Sequence, residues 1–174
     1  MILEECGRVG FKVKFYWYQI GSGDFLHAFF STVAYNLENM KWGSRFPVIM
    51  KELYQGHLPK EHVDAAIGEL AVISAELRDL SPDHVIWDIE DLSKQPPWGN
   101  DISEDITDLS NYFVTSDGED FLTILLHALE KAKDVNEDVN IESITTFPVD
   151  SLPFCAAENK LQTLFGQGVK NYGR

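Results

Sequence analysis

Residues 11–20, FKVKFYWYQI, most constrain what this chain can fold into. Phe11, Val13, Phe15 and Trp17 alternate with Lys12, Lys14, Tyr16 and Tyr18, and period two in an aromatic, β-branched run predicts a strand. Gly21-Ser22-Gly23 breaks it, and Asp24 is placed to cap a following helix. In residues 25–38, Phe25, Phe29, Val33 and Leu37 recur at four-residue steps, with Leu26 and Phe30 widening the stripe, which predicts a buried amphipathic helix. The Gly-x-Gly turn is no dinucleotide fingerprint, because Leu26 stands where the third glycine belongs, and no Gly-Lys-Ser/Thr follows.

Further along, Pro47 is placed to start a short helix through Ile49, Met50 and Leu53, ended by Gly56. Val63, Ala66, Ile67, Leu70, Ile73 and Leu77 predict a helix over 60–79, stopped at Ser81-Pro82-Asp83. Residues 84–89 read as a short strand, 101–110 as a short helix and 112–115 as a strand. A helix over 119–134, capped by Ser116 or Asp117, and a strand over 139–147 complete the pattern. These elements predict one α+β (mixed α/β) domain over 1–150, a sheet of about four strands packed by three main helices. Residues 151–174 are weakly patterned and predict a C-terminal tail with at most a short helix near 157–165.

At 174 residues, 44% hydrophobic and 12% aromatic, the chain can bury a real core and is not disordered or low-complexity. Its net charge of −14 repels phosphate backbones and anionic lipid, so neither nucleic acid nor a membrane is an expected partner. A basic partner is favoured. Cys6 and Cys155 make neither a disulfide framework nor a metal motif, and the opening MILEECGRVG lacks the basic start and apolar stretch of a signal peptide. A cytoplasmic protein with reduced cysteines is expected.

The charge is concentrated. Residues 79–120 hold twelve acidic residues and one basic residue, Lys94, together with Trp87, Trp98 and Tyr112. Carboxylates beside aromatics suit a docking face for a basic protein surface, although a solvated surface gives the same pattern. Asp101, Glu104, Asp105 and Asp108 fall on one helical face and do not converge as Ca²⁺ or Mg²⁺ ligands must, so no metal and no cofactor is expected. The five histidines form no H-x-x-x-H or H-E-x-x-H motif, and there is no G-x-S-x-G elbow. His27 and His127 lie in apolar helices, where a core role is the ordinary one. Trp42-Gly43-Ser44-Arg45-Phe46-Pro47 and Pro96-Pro97-Trp98-Gly99 set tryptophans on turns, as core plugs or as partner anchors. Catalytic residues are not expected. The candidate partner-binding residues are Asp88, Glu90, Asp91, Trp98, Asp101 and Asp105, with Trp42 and Arg45 beside them.

Several stretches, taken in order, resemble the immunity protein 70 family of bacterial polymorphic toxin systems. They are Gly21-Ser22-Gly23-x-Phe25-x-His27-x-Phe29-Phe30, the Trp42–Pro47 motif, Glu52-Leu53-Tyr54-x-Gly56, Val85-Ile86-Trp87-Asp88, Pro97-Trp98-Gly99, and the run from Leu109 to Gly118. They span about residues 15–150. The resemblance implies a non-enzymatic cytoplasmic protein that binds and neutralises a cognate toxin domain, and it supplies no catalytic residues. Many such toxins are nucleases, whose basic substrate groove an acidic inhibitor would occlude. Two other readings stay open at this level: a small enzyme using His27 or His84 with nearby carboxylates, and a scaffold or homodimer module.

Overall fold

The computed structural model describes residues 7–144. Within them the aromatic run is two strands rather than one, β1 (Arg8–Val13) and β2 (Tyr16–Gly21), paired antiparallel about a turn at Lys14 and Phe15. Lys14 adopts φ 54°, the left-handed conformation that tight hairpin turns use. The alternation runs unbroken through this turn, and no Gly, Asn or Asp marks it, so periodicity alone does not reveal the reversal. The other two strands are β3 (His57–Leu58) and β4 (Val139–Ile144). The sheet is antiparallel throughout, in the order β2-β1-β4-β3. Val9, Phe11 and Val13 of β1 are buried. On the opposite face Gly10 lies under the Trp17 indole, where a Cβ would come within 2.4 Å of the ring, so the close approach requires glycine.

The three main helices follow the predicted periodicity. They are α1 (Gly23–Asn36), α2 (Val63–Leu77) and α3 (Phe121–Val135). Two caps differ from expectation. Ser22, not Asp24, caps α1, its Oγ accepting from the Phe25 N–H at 3.2 Å. Asp120, not Ser116 or Asp117, caps α3, accepting from the Thr123 N–H at 2.8 Å. Asn136, at φ 54°, ends α3 in a left-handed cap. Residues 25–34 of α1 are all buried, so it is a central helix enclosed on every side rather than an amphipathic surface helix. Phe25 and Phe29 meet Phe113 and Phe121, and Phe30 meets Tyr54 edge-on at 4.8 Å between centroids. Each of these aromatic side chains contributes roughly 1.5–3 kcal/mol by burial.

The Pro47 helix is a π-helical turn, Val48–Leu53. The Glu69 carboxylate of α2 caps its first amides, accepting from Val48 N–H at 3.2 Å and Ile49 N–H at 2.8 Å. A 3₁₀ turn, Lys60–His62, leads into α2.

The acidic stretch departs most from expectation. Residues 84–89 are not a strand but an irregular extended segment after the 3₁₀ turn Pro82–His84. Residues 101–110 form turns and no helix. Residues 112–115 contribute one isolated bridge, Val114 to Asp120, rather than a strand. The end of the predicted last strand beyond Ile144, the tail over 151–174 with its short helix, and both cysteines lie outside the described residues. The domain is a mixed α+β unit, a four-stranded antiparallel sheet with its helices.

Candidate functional site

Polar side chains of α1 hold the acidic stretch in place. His27, Ser31, Thr32 and Asn36 are spread over half the circumference of an otherwise largely apolar helix. Thr32 Oγ1 both donates to the Ile86 carbonyl at 3.2 Å and accepts from the Ile86 N–H at 3.0 Å. Ser31 Oγ accepts from the Ile89 N–H at 3.2 Å, and Asn36 Nδ2 donates to the His84 carbonyl at 3.0 Å. These side chains serve residues 84–89 as a neighbouring strand would, which is why the segment is extended without belonging to the sheet. Farther on, the Leu109 N–H donates to the Leu80 carbonyl, and the Ser116 N–H to the Ile20 carbonyl.

The deepest of these ties is at His27, 3% exposed. Its Nε2 lies 3.2 Å from Asp88 Oδ1 and its Nδ1 3.0 Å from the Tyr54 hydroxyl. Asp88 is 2% exposed, and it also accepts from Lys94 Nζ at 2.8 Å and from the Glu90 N–H at 3.1 Å. Burial, reinforced by the charges of Glu90 and Asp88, pushes the Tyr54 phenol well above its ordinary value. Tyr54 therefore keeps its hydroxyl proton beside Nδ1. The Asp88 carboxylate raises the Lys94 ammonium, first through its hydrogen bond and then through its charge. Both ring nitrogens of His27 thus face internal partners, and the group works as a pin between α1 and the acidic stretch.

Above this pin lies a cleft of about 300 Å³, lined by His27, Trp42, Met50, Tyr54, Ile89 and Glu90, with Lys51 and Gln55 at its side. Trp42 stacks toward His27, sits 4.7 Å from the Tyr54 ring and donates its indole N–H to the Met50 carbonyl. A second cleft, about 200 Å³, is lined by Phe25, Trp98, Asp101, Ile102, Ile106 and Tyr112, together with Ser103 and Val114. Trp98 is 39% exposed; its indole donates to the Tyr112 hydroxyl at 3.0 Å, and the Trp87 ring meets it edge-on at 5.3 Å.

The sequence-selected residues therefore separate into groups. Trp42 and Glu90 line the first cleft with Asp88 buried beneath them, and Trp98 and Asp101 share the second. Asp105 is exposed nearby in sequence, its backbone N–H donating to Ser103 Oγ. Asp91 is exposed and accepts from the Ser93 N–H and hydroxyl, which hold its carboxyl below the ordinary value. Arg45 stands apart, paired in two hydrogen bonds with Glu76 at 2.6 and 2.7 Å and donating to the Leu37 carbonyl at 2.8 Å. Of the twelve acidic residues in 79–120, nine are exposed; Asp88 is buried, and Asp108 and Asp120 are partly covered.

Sequence reasoning missed the buried carboxylate of Glu38, 1% exposed. It accepts from Gly43 N–H at 2.7 Å, Arg45 N–H at 2.9 Å and Phe46 N–H at 3.0 Å, and so folds the Trp42–Pro47 loop about itself. The signal available for this was an acid at the end of an apolar helix, four residues before a Trp-Gly turn. Likewise, the polar residues at positions 27, 31, 32 and 36 were legible as interruptions of an apolar helix. Among the described residues, no group of three or more His, Cys, Asp or Glu is arranged to hold a metal ion. No helix there is long and apolar enough to cross a membrane.

No curated protein and no solved structure matches the chain significantly. The family model described as immunity protein 70 matches residues 11–141, which take in most of the sheet, all three helices and both clefts, and the chain therefore belongs to the immunity protein 70 family.

Proposed function

We propose that this immunity protein acts by binding, without catalysing a reaction, and that it covers a basic surface of its cognate toxin domain with the exposed face of residues 79–120. The observation that carries this is the exposure of nine carboxylates on a stretch whose residues 84–89 are tied to α1 by His27, Ser31, Thr32 and Asn36. A charged loop already held in shape loses little conformational entropy on docking. Its negative field also speeds the approach of a positive partner. A nuclease domain, with a groove built for phosphates, is the toxin class this charge matches best. The cytoplasm of the toxin-producing bacterium is the expected compartment.

The test is co-expression with the toxin domain encoded beside this chain. A 1:1 complex and relief of toxicity are expected. Affinity should fall at least ~10-fold between 50 and 500 mM salt, because the screening length shrinks from roughly 14 to 4 Å over that range. Charge reversal at Asp101 and Asp105 together should weaken binding by at least ~30-fold without unfolding. Affinity that is flat with salt, or untouched by the double reversal, removes this face from the interface.

A further inference from the structure

The second cleft has the build of a receptor for one side chain. Most of its lining is aliphatic or aromatic: Phe25, Ile102, Ile106, Tyr112 and Val114, the last 43% exposed. Its one formal charge is Asp101, whose carboxylate has no hydrogen-bond or ion-pair partner among the described residues, and no Lys or Arg lines it. The first cleft, by contrast, sets Lys51 beside Glu90, so opposite charges offset there.

Trp98 and Asp101 are held together before any ligand arrives. The Asp101 N–H donates to the Trp98 carbonyl at 3.0 Å across a turn that uses Gly99 at φ 56°. The Tyr112 hydroxyl and the Trp87 ring hold the Trp98 indole in place. An indole and an unspent carboxylate that line one cleft with Ile102, Ile106 and Val114 match one ligand chemistry. A guanidinium stacks on the aromatic face and pairs with the carboxylate, and its methylene stem covers the aliphatic wall. Such arginine anchors dominate protein interfaces when a pocket receives them.

We propose that the cleft formed by Trp98, Asp101, Ile102, Ile106, Tyr112 and Val114 receives an arginine side chain of the toxin, and that this is the central anchor of the complex. The proposal rests on the acidic-face reading above and names the partner group that this face recognises.

The experiment titrates the full ¹⁵N-labelled chain with N-acetyl-arginine methylamide and follows the indole N–H signals, with Trp98→Phe assigning the signal of Trp98. A saturable shift of the Trp98 indole is expected. The neutral isostere N-acetyl-citrulline methylamide should bind at least ~10-fold more weakly, as should the arginine probe to D101N. The lysine analogue, which lacks the planar fork, should bind several-fold more weakly. In the toxin complex, D101N should cost roughly 30-fold in affinity. No saturable shift, equal binding of citrulline, or an unchanged titration in D101N overturns the proposal. Because the probe needs no toxin, the two readings fail separately. A toxin complex that forms while the probe does not bind overturns the cleft and leaves the acidic face standing. A probe that binds while no toxin complex forms overturns the acidic face as the toxin-binding surface and the toxin as the source of the arginine.

Discussion

Glu38→Gln tests whether a single buried carboxylate organises the Trp42–Pro47 loop. One carboxylate oxygen accepts from Gly43 at 2.7 Å, and the other accepts from Arg45 at 2.9 Å and Phe46 at 3.0 Å. Glutamine keeps the shape but replaces one acceptor with an NH₂ group, which then faces a backbone donor. At least one charge-assisted bond, worth about 1.5–3 kcal/mol, is lost, and a buried amide is left unpaired. The remaining bonds fall from charged to neutral strength. The sum is about 2–4 kcal/mol, a large fraction of the ~5–15 kcal/mol that holds a domain folded. Urea denaturation reads this directly: with m of roughly 2 kcal/mol/M, the midpoint should fall by about 1–2 M at unchanged m. Glu69→Gln is the internal comparison, since its carboxylate serves two amides and is less buried, and it should lose less. A loss below about 0.5 kcal/mol in Glu38→Gln, the level of an ordinary surface change, would refute the reasoning.

Three further outcomes are expected. Asp88→Asn should destabilise the fold by about 1–3 kcal/mol and speed amide exchange at Ile86, Ile89 and Glu90, because it weakens the contact of Asp88 with His27 and Lys94; unchanged exchange would count against the pin. Asp108 accepts from Ser110 and Thr107, which hold its carboxyl below the ordinary aspartate value near ~4, so its stabilising contribution is present above that value and lost as pH falls through the lower folded-state value. Paired denaturations of wild type and Asp108→Asn from pH 7 down to pH 2 should therefore converge on acidification, and a constant gap would refute the assignment. Gly43→Ala should cost about 1–2 kcal/mol in thermal or urea melts, from its φ of 70°, while its contact with the Lys51 side chain is relieved by that flexible chain moving aside; a neutral result would show that the loop relaxes.

Helices α1, α2 and α3 were legible in the sequence because apolar residues at three- and four-residue steps share a face only when the chain winds as a helix. The turn at Lys14 and Phe15 was not, since period two reads the same through a hairpin as along one strand. Residues 84–89 carry β-favouring side chains, and they are extended, but their backbone partners are side chains of α1 rather than another strand. Strand identity depends on a partner, and a single segment does not announce its partner. Among the candidate binding residues, Trp98 and Asp101 were brought together as their three-residue spacing on a turn allows. Asp88 was drawn inward because His27, 61 positions earlier, lies opposite it, and Arg45 was taken up by Glu76 of α2.

By itself, the sequence determined the α+β class, the helical periods, the acid-rich stretch and the order of motifs that marks the immunity protein 70 family. All of these depend on local pattern or composition, which survives without knowledge of neighbours. Only the tertiary structure decided which carboxylates face solvent and which are spent inside: Glu38 on a loop, Glu69 on a helix end, Asp88 on a histidine, and nine acids of residues 79–120 left outside. The physical reason is that a carboxylate's fate depends on the donors that reach it through space, and those donors come from distant positions in the chain.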